Sequence, residues 1–161
     1  ADFTAANMSK IDLSRALLKE AVLTGAVLDH ATLDRAILTG ADLSKTNLDR
    51  ASFDRADMTG AKLAGGNLQK AELGRALLKG VDLTQADLTG AFLARADLRG
   101  AKLDRANLKN ATLQFADLRD TDLSGAVNLT AAQIEATCGN AGTRLPQGIA
   151  MPAEWQCSGR E

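Results

Sequence analysis

The stretch ADLTGAFLARADLRGAKLDRANL, residues 86–108, places a leucine at every fifth position: Leu88, Leu93, Leu98, Leu103 and Leu108. A helix repeats its apolar positions every three to four residues and a strand every second one. A period of five fits neither, and it extends in both directions from these residues. Counted in steps of five from Phe3 to Leu123 there are 25 centres, and every one is Leu, Phe or Met. Two residues before the centre, alanine stands in 20 of the 25 pentads; Ile11, Thr46, Gly66, Val81 and Thr121 replace it in the others. The residue just before the centre is Asp or Asn in 13 pentads. Internal repetition is therefore the primary fact about this chain.

One large side chain per pentad is buried only if the backbone turns a corner in each pentad. The number of corners per circuit is legible in the residue two after each centre. Grouped at intervals of 20, one column reads Arg15, Arg35, Arg55, Arg75, Arg95 and Phe115. Another reads Glu20, Gly40, Gly60, Gly80, Gly100 and Asp120, and a third Lys10, His30, Arg50, Lys70, Gly90 and Asn110. A circuit of 15 or 25 residues scatters these columns, so the chain is expected to wind as a four-sided coil of 20 residues. Each centre then stacks on the one a circuit away, at the strand spacing of about 4.8 Å. Burying a Leu contributes about 1.5–3 kcal/mol, and the alanine positions point inward where only a small side chain fits. The glycine column suits corners with positive φ, as in a type II turn. Each coil touches only its neighbours, as in other solenoids.

Tandem A-(D/N)-L-X-X repeats over residues 1–125 resemble the pentapeptide-repeat family. The resemblance implies an all-β solenoid, a right-handed quadrilateral β-helix of about six coils. Its specificity is for fold, because the family includes gyrase-binding DNA mimics, thylakoid-lumen proteins and many bacterial proteins with no assigned activity.

Composition narrows the function. The chain of 161 residues has 3% aromatic residues and no Tyr, so the core is built of Leu and Ala. Residues 1–125 carry 17 acidic and 17 basic side chains, and a neutral rod sets up no net field toward nucleic acid. No run is long enough for a membrane-spanning helix, so no membrane insertion is expected. The chain starts at Ala1 in repeat register and without Met, which predicts that an N-terminal segment was removed or trimmed.

From residue 126 the register breaks, dividing the chain into a solenoid at 1–125 and an end segment at 126–161. Asn128 falls where a centre is due. Thr130 followed by Gln133 has capping-box spacing, and Gly139 is a C-cap candidate, which predicts a short helix over about 131–138. Its apolar residues would cover the open end of the last coil. The rest predicts an irregular tail anchored by Leu145, Ile149, Met151 and Trp155. The run from Cys138 to Cys157 also resembles the C-terminal tails of bacterial pentapeptide-repeat proteins.

Cys138 and Cys157 are the only cysteines. One reading is a disulfide that pins the tail, worth about 3 kcal/mol by loop entropy. The other is two reduced thiols in a cytoplasmic protein. The disulfide would favour the periplasm or another oxidising compartment, and two cysteines alone are too few for a zinc site.

Three surface features are candidates for contact. The Arg column, Arg15, Arg35, Arg55, Arg75 and Arg95, would stack along one corner; it reads as a solvated ladder compensated by Asp34, Asp54, Asp57 and Asp97, or as a strip for an anionic partner. Apolar residues stand at the outward position at Leu17, Val22, Val27, Ile37, Leu77 and Phe92. They read as scattered surface residues or as a patch for self-association or partner docking, in which Leu17, Ile37 and Leu77 share one face. The first coil, with Phe3, Met8 and Leu13, has nothing beneath it, which predicts either a preceding segment or a homodimer of rods meeting end to end.

No catalytic constellation is present in the sequence. His30 stands at an outward corner beside Asp29 without a nucleophile or an enclosed pocket. The glycines serve corners, and outward Asp and Asn beside a turn cap backbone groups more often than they bind metal. No cofactor is expected. The sequence is therefore read as a non-enzymatic structural or protein-interaction module. The alternative is a gyrase-binding DNA mimic, against which the neutral charge and the Arg corner stand, while the scarcity of aromatics argues against single-stranded nucleic acid.

Overall fold

The computed structural model describes residues 1–157. Its circuit is 20 residues: 22 successive parallel bridges, from Asp2 with Val22 to Asn107 with Val127, each join the residue before a centre to its counterpart one circuit on. The pentads centred on Phe3 to Leu98 repeat one set of hydrogen bonds. The Leu13 amide donates to the Thr32 carbonyl at 2.7 Å, the Arg15 amide to Asp34 at 2.9 Å, and the Thr32 amide back to Ile11 at 2.9 Å. The corner closes on itself, Ala16 N–H donating to the Leu13 carbonyl at 3.0 Å.

The corner conformation corrects one expectation. Positive φ is not confined to the glycine column. All corner residues from Ala5 to Asp120 adopt it, with φ of 53–67° whether they are Gly, Arg, Lys or Phe. The third position of a type II turn requires this of any occupant, and inter-coil hydrogen bonding outweighs the cost of roughly 1–2 kcal/mol for a residue with a Cβ.

From Leu18 to Leu123 the centres are buried, stacked in one continuous core with the alanines between them. The size limit at the alanine position is visible at Gly66, where a Cβ would already lie 3.1 Å from the Leu63 carbonyl oxygen. Two threonines in this position are buried without penalty. Thr46 donates its hydroxyl to the Leu23 carbonyl at 2.8 Å and Thr121 to that of Leu98 at 2.7 Å. In the first coil Phe3, Met8, Ile11, Leu13 and Ala16 are only partly buried.

Beyond Val127 the chain keeps winding without the motif. The helix α1, Ala131–Ile134, is half the expected length. Gln133 terminates the sheet there: its Nε2 donates to the carbonyls of Leu108 and Ala111, both at 2.8 Å, and its Oε1 accepts the Thr130 amide at 2.9 Å. The chain then returns to the sheet, so the segment predicted as helix to 138 is extended again at Cys138. The Phe115 amide reaches the Ala136 carbonyl at 2.6 Å, Leu118 reaches Cys138 at 2.7 Å and Leu123 reaches Arg144 at 2.8 Å. Ile134 plugs the core and is 1% exposed.

Gly139 is no helix cap. It is small because Trp155 lies on it; a Cβ there would come within 2.6 Å of the indole ring. Of the four predicted anchors, Leu145 and Trp155 pack against the core, whereas Met151 is exposed and Ile149 is half-buried without joining the cluster. Cys138 and Cys157 form a disulfide, and beside it the Gln156 amide donates to the Thr137 carbonyl at 2.9 Å.

Candidate interaction surface

The polar side chains nearest the backbone are already engaged. Each of the 13 Asp or Asn residues before a centre accepts the amide N–H two residues on, as Asp2 does from Thr4, Asp57 from Thr59 and Asp122 from Ser124. These are Asx caps that satisfy the turn. The hydroxyl of Ser14 holds the Asp12 carboxyl below its ordinary value, and Ser44, Thr84 and Ser124 do the same for Asp42, Asp82 and Asp122. His30 meets Asp29, Nδ1 to Oδ2 at 3.2 Å. Among the described residues no group of His, Cys, Asp and Glu is placed to hold a metal ion, and no helix is long and apolar enough to cross a membrane.

The Arg column lies along one corner with every member exposed. Its compensation differs from the sequence reading. Arg55 pairs loosely with Asp54 at 3.7 Å. Asp34 instead accepts the Ser52 hydroxyl and the Asp54 amide. Asp97 turns to Arg99, at 2.6 Å. Arg95 lies over the ring of Phe115, 5.4 Å from its centroid, a cation–π contact that the column pattern contained but did not announce. Arg15, Arg35 and Arg75 have no ion pair among the described residues.

The apolar residues do not form one patch. A five-residue step moves the chain a quarter of the circuit, so Leu17, Val22 and Val27 stand on three different faces. Val22 shares its face with Asp2 and Asp42, and Val27 is half-buried among Asn7 and Asn47. Phe92 leans over Gly74, where a Cβ would lie 3.0 Å from its ring. The bridges do align Leu17, Ile37, Asp57, Leu77, Asp97 and Asp117 on one face. Leu17 is 79% exposed, Ile37 39% and Leu77 45%.

Toward the C-terminal end the same face carries a charge cluster whose sequence signal is the triplet Asp-Leu-Arg at 97–99 recurring one circuit on at 117–119. Asp117 is 1% exposed; Arg119 meets it at 2.7 Å and Arg99 at 3.8 Å. The hydrogen bond to Asp97 raises the Arg99 guanidinium above its ordinary value, and that to Asp117 raises Arg119.

Comparison with known proteins gives a consistent result. The model of the family described as pentapeptide repeats matches in eight copies, at residues 1–35, 16–55, 36–75, 56–93 and 93–127. No curated protein matches the sequence. Among solved structures the chain is similar to HetL, a pentapeptide repeat protein involved in heterocyst differentiation regulation from the cyanobacterium Nostoc sp. strain PCC 7120. The identity is 36% over 78% of this chain and 57% of that one, with a TM-score of 0.65. This chain thus spans little more than half the length of HetL. It is also similar to a pentapeptide repeat protein from the Arabidopsis thaliana thylakoid lumen, at 28% identity over 78% of this chain and 83% of that one, with a TM-score of 0.51.

Proposed function

Since the chain belongs to the pentapeptide-repeat family, we propose that it acts as a non-catalytic scaffold whose outward side chains are presented to a protein partner. The observation that carries this reading is the division of labour among its side chains. The carboxylates and carboxamides before each centre are spent on turn caps, the core is filled, and what remains unengaged is an exposed row of aliphatic and cationic groups. Such a surface offers contact area rather than an enclosed site for proton or group transfer. Gyrase mimicry is the weaker reading, because 17 acidic against 17 basic residues over 1–125 give the rod no phosphate-like field. A supercoiling assay at micromolar protein tests it: the scaffold reading expects no inhibition of gyrase, and inhibition would favour the mimic.

One further proposal accompanies the first. The Cys138–Cys157 disulfide suits the periplasm or another oxidising compartment. Alkylation during lysis of the native host should find both sulfurs blocked, and free thiols would contradict the assignment.

A further inference from the structure

Two pentads on opposite sides of Ile37 and Asp57 have the same five residues, Arg-Ala-Leu-Leu-Lys, at 15–19 and at 75–79. In each, the first leucine points outward between two cations: Leu17 between Arg15 and Lys19, and Leu77 between Arg75 and Lys79. None of these four cations has an ion pair among the described residues. The bridges from Leu17 through Ile37 and Asp57 to Leu77 place all four residues in a single row. At the spacing of parallel strands, the row runs about 14 Å along the rod.

We propose that this face is a docking surface for an acidic amphipathic helix of a partner protein, laid along the rod axis. The inference rests on the scaffold reading above and specifies its partner. A helix advances about 5.4 Å per turn, close to the rung spacing of about 4.8 Å, so successive turns can meet successive rungs. Apolar residues at i, i+3 and i+10 fall opposite Leu17, Ile37 and Leu77. The residue at i+7 falls opposite Asp57, where a lysine or arginine is matched and a carboxylate is repelled. Glu or Asp on both flanks of the helix meets Arg15 and Arg75 on one side and Lys19 and Lys79 on the other.

Charge excludes a second copy of this chain as the occupant. Laying two such faces antiparallel with Leu17 on Leu77 sets Arg15 and Lys19 against Arg75 and Lys79, four cations with no carboxylate from either RALLK pentad between them. The opposite end of the face differs, because Asp97, Arg99, Asp117 and Arg119 neutralise one another there. The helix is therefore expected on the N-terminal rungs.

The test is selection of phage-displayed helical peptides of about sixteen residues against the intact disulfide-bonded protein. Affinities of the enriched peptides are then measured by fluorescence anisotropy. The expected winners carry aliphatic residues at i, i+3 and i+10 with acidic flanks. They should lose about tenfold or more in affinity on L77D and on the double variant R75E/K79E, and weaken as salt rises. The variant K102E, on another face, should bind them as the wild type does. All three variants change exposed positions, and an unchanged melting curve confirms that each is folded. Failure to enrich such peptides, or equal binding to wild type and L77D, overturns the proposal. A native partner held equally by wild type and L77D also overturns this surface, while leaving the scaffold reading standing.

Discussion

The coils up to Val127 and the segment that closes them follow the same winding by different means. In the coils one motif repeats, and 22 bridges keep an interval of 20 residues. In the closing segment the interval stretches to 21 between Asp117 and Cys138 and to 22 between Asp122 and Arg144, yet the bridges persist. There the inward positions include Thr137 and Thr143, whose hydroxyls donate to Ile134 and Leu118 at 2.7 and 2.8 Å. A glutamine amide and a disulfide do what leucine stacking does below. What each rung demands is a partner for its exposed backbone edge and a plug for its centre. The pentad is the repeating solution to that demand, and the closing segment is a single-use one.

The difference predicts how each region fails. Leu68→Ala removes a side chain enclosed by coils on both sides and should cost about 2–5 kcal/mol of stability, measured by urea unfolding. Ile134→Ala, backed by a coil on one side only, should fall at the low end of that range. Equal large losses at both sites would erase the distinction. Reducing the disulfide should be next, at about 3 kcal/mol, and local. Amide exchange should rise at Cys138 and Gln156, whose N–H groups donate to Ala116 and Thr137, while the coils below retain their protection, because each coil touches only its neighbours.

A smaller effect of opposite sign is expected at the corners. Arg55 holds φ at 56°, a conformation that costs a residue with a Cβ about 1–2 kcal/mol. Arg55→Gly should therefore raise the unfolding midpoint, by up to about 1 kcal/mol of stability after the loss of chain entropy. A drop would show that the Arg column adds more than its backbone costs. The smallest effect is that of pH. Asp42 and Asp82 have native carboxyl pKa values below the ordinary 3.8, because Ser44 and Thr84 donate to them. A lowered native value adds stability that is present above the unfolded value and lost as pH falls through the native one. Melting temperatures should be level above about pH 5 and decline below pH 4, with a shallower decline in Asp82→Asn.

Most of the rod was legible in its sequence because one constraint repeats 25 times: Leu, Phe or Met inside, with a small residue two before it. The corner columns set the circuit for the same reason. The surface was less legible. That Leu17, Val22 and Val27 occupy different faces follows from the step of five, and only the bridged triad Leu17, Ile37 and Leu77 forms a row. The Arg95–Phe115 contact depends on two side chains one circuit apart meeting across the rung, and the buried Asp117 on Arg119 two residues on, with Arg99 of the neighbouring coil at 3.8 Å. The closing segment was legible as a lid, from Thr130 and Gln133. Its return to the sheet was not, because it depends on threonine hydroxyls and on Trp155 lying against Gly139, which have no periodic signature.

The central claim, a circuit of 20 residues, is tested most directly by spin labels at Lys62→Cys and Lys102→Cys, introduced with the native disulfide intact. Bridges through Asp82 put these positions two rungs apart on one face. The account predicts backbone positions separated by about 10 Å, with strong dipolar broadening in the electron paramagnetic resonance spectrum. Sharp, non-interacting spectra would place the two positions on different faces and contradict it.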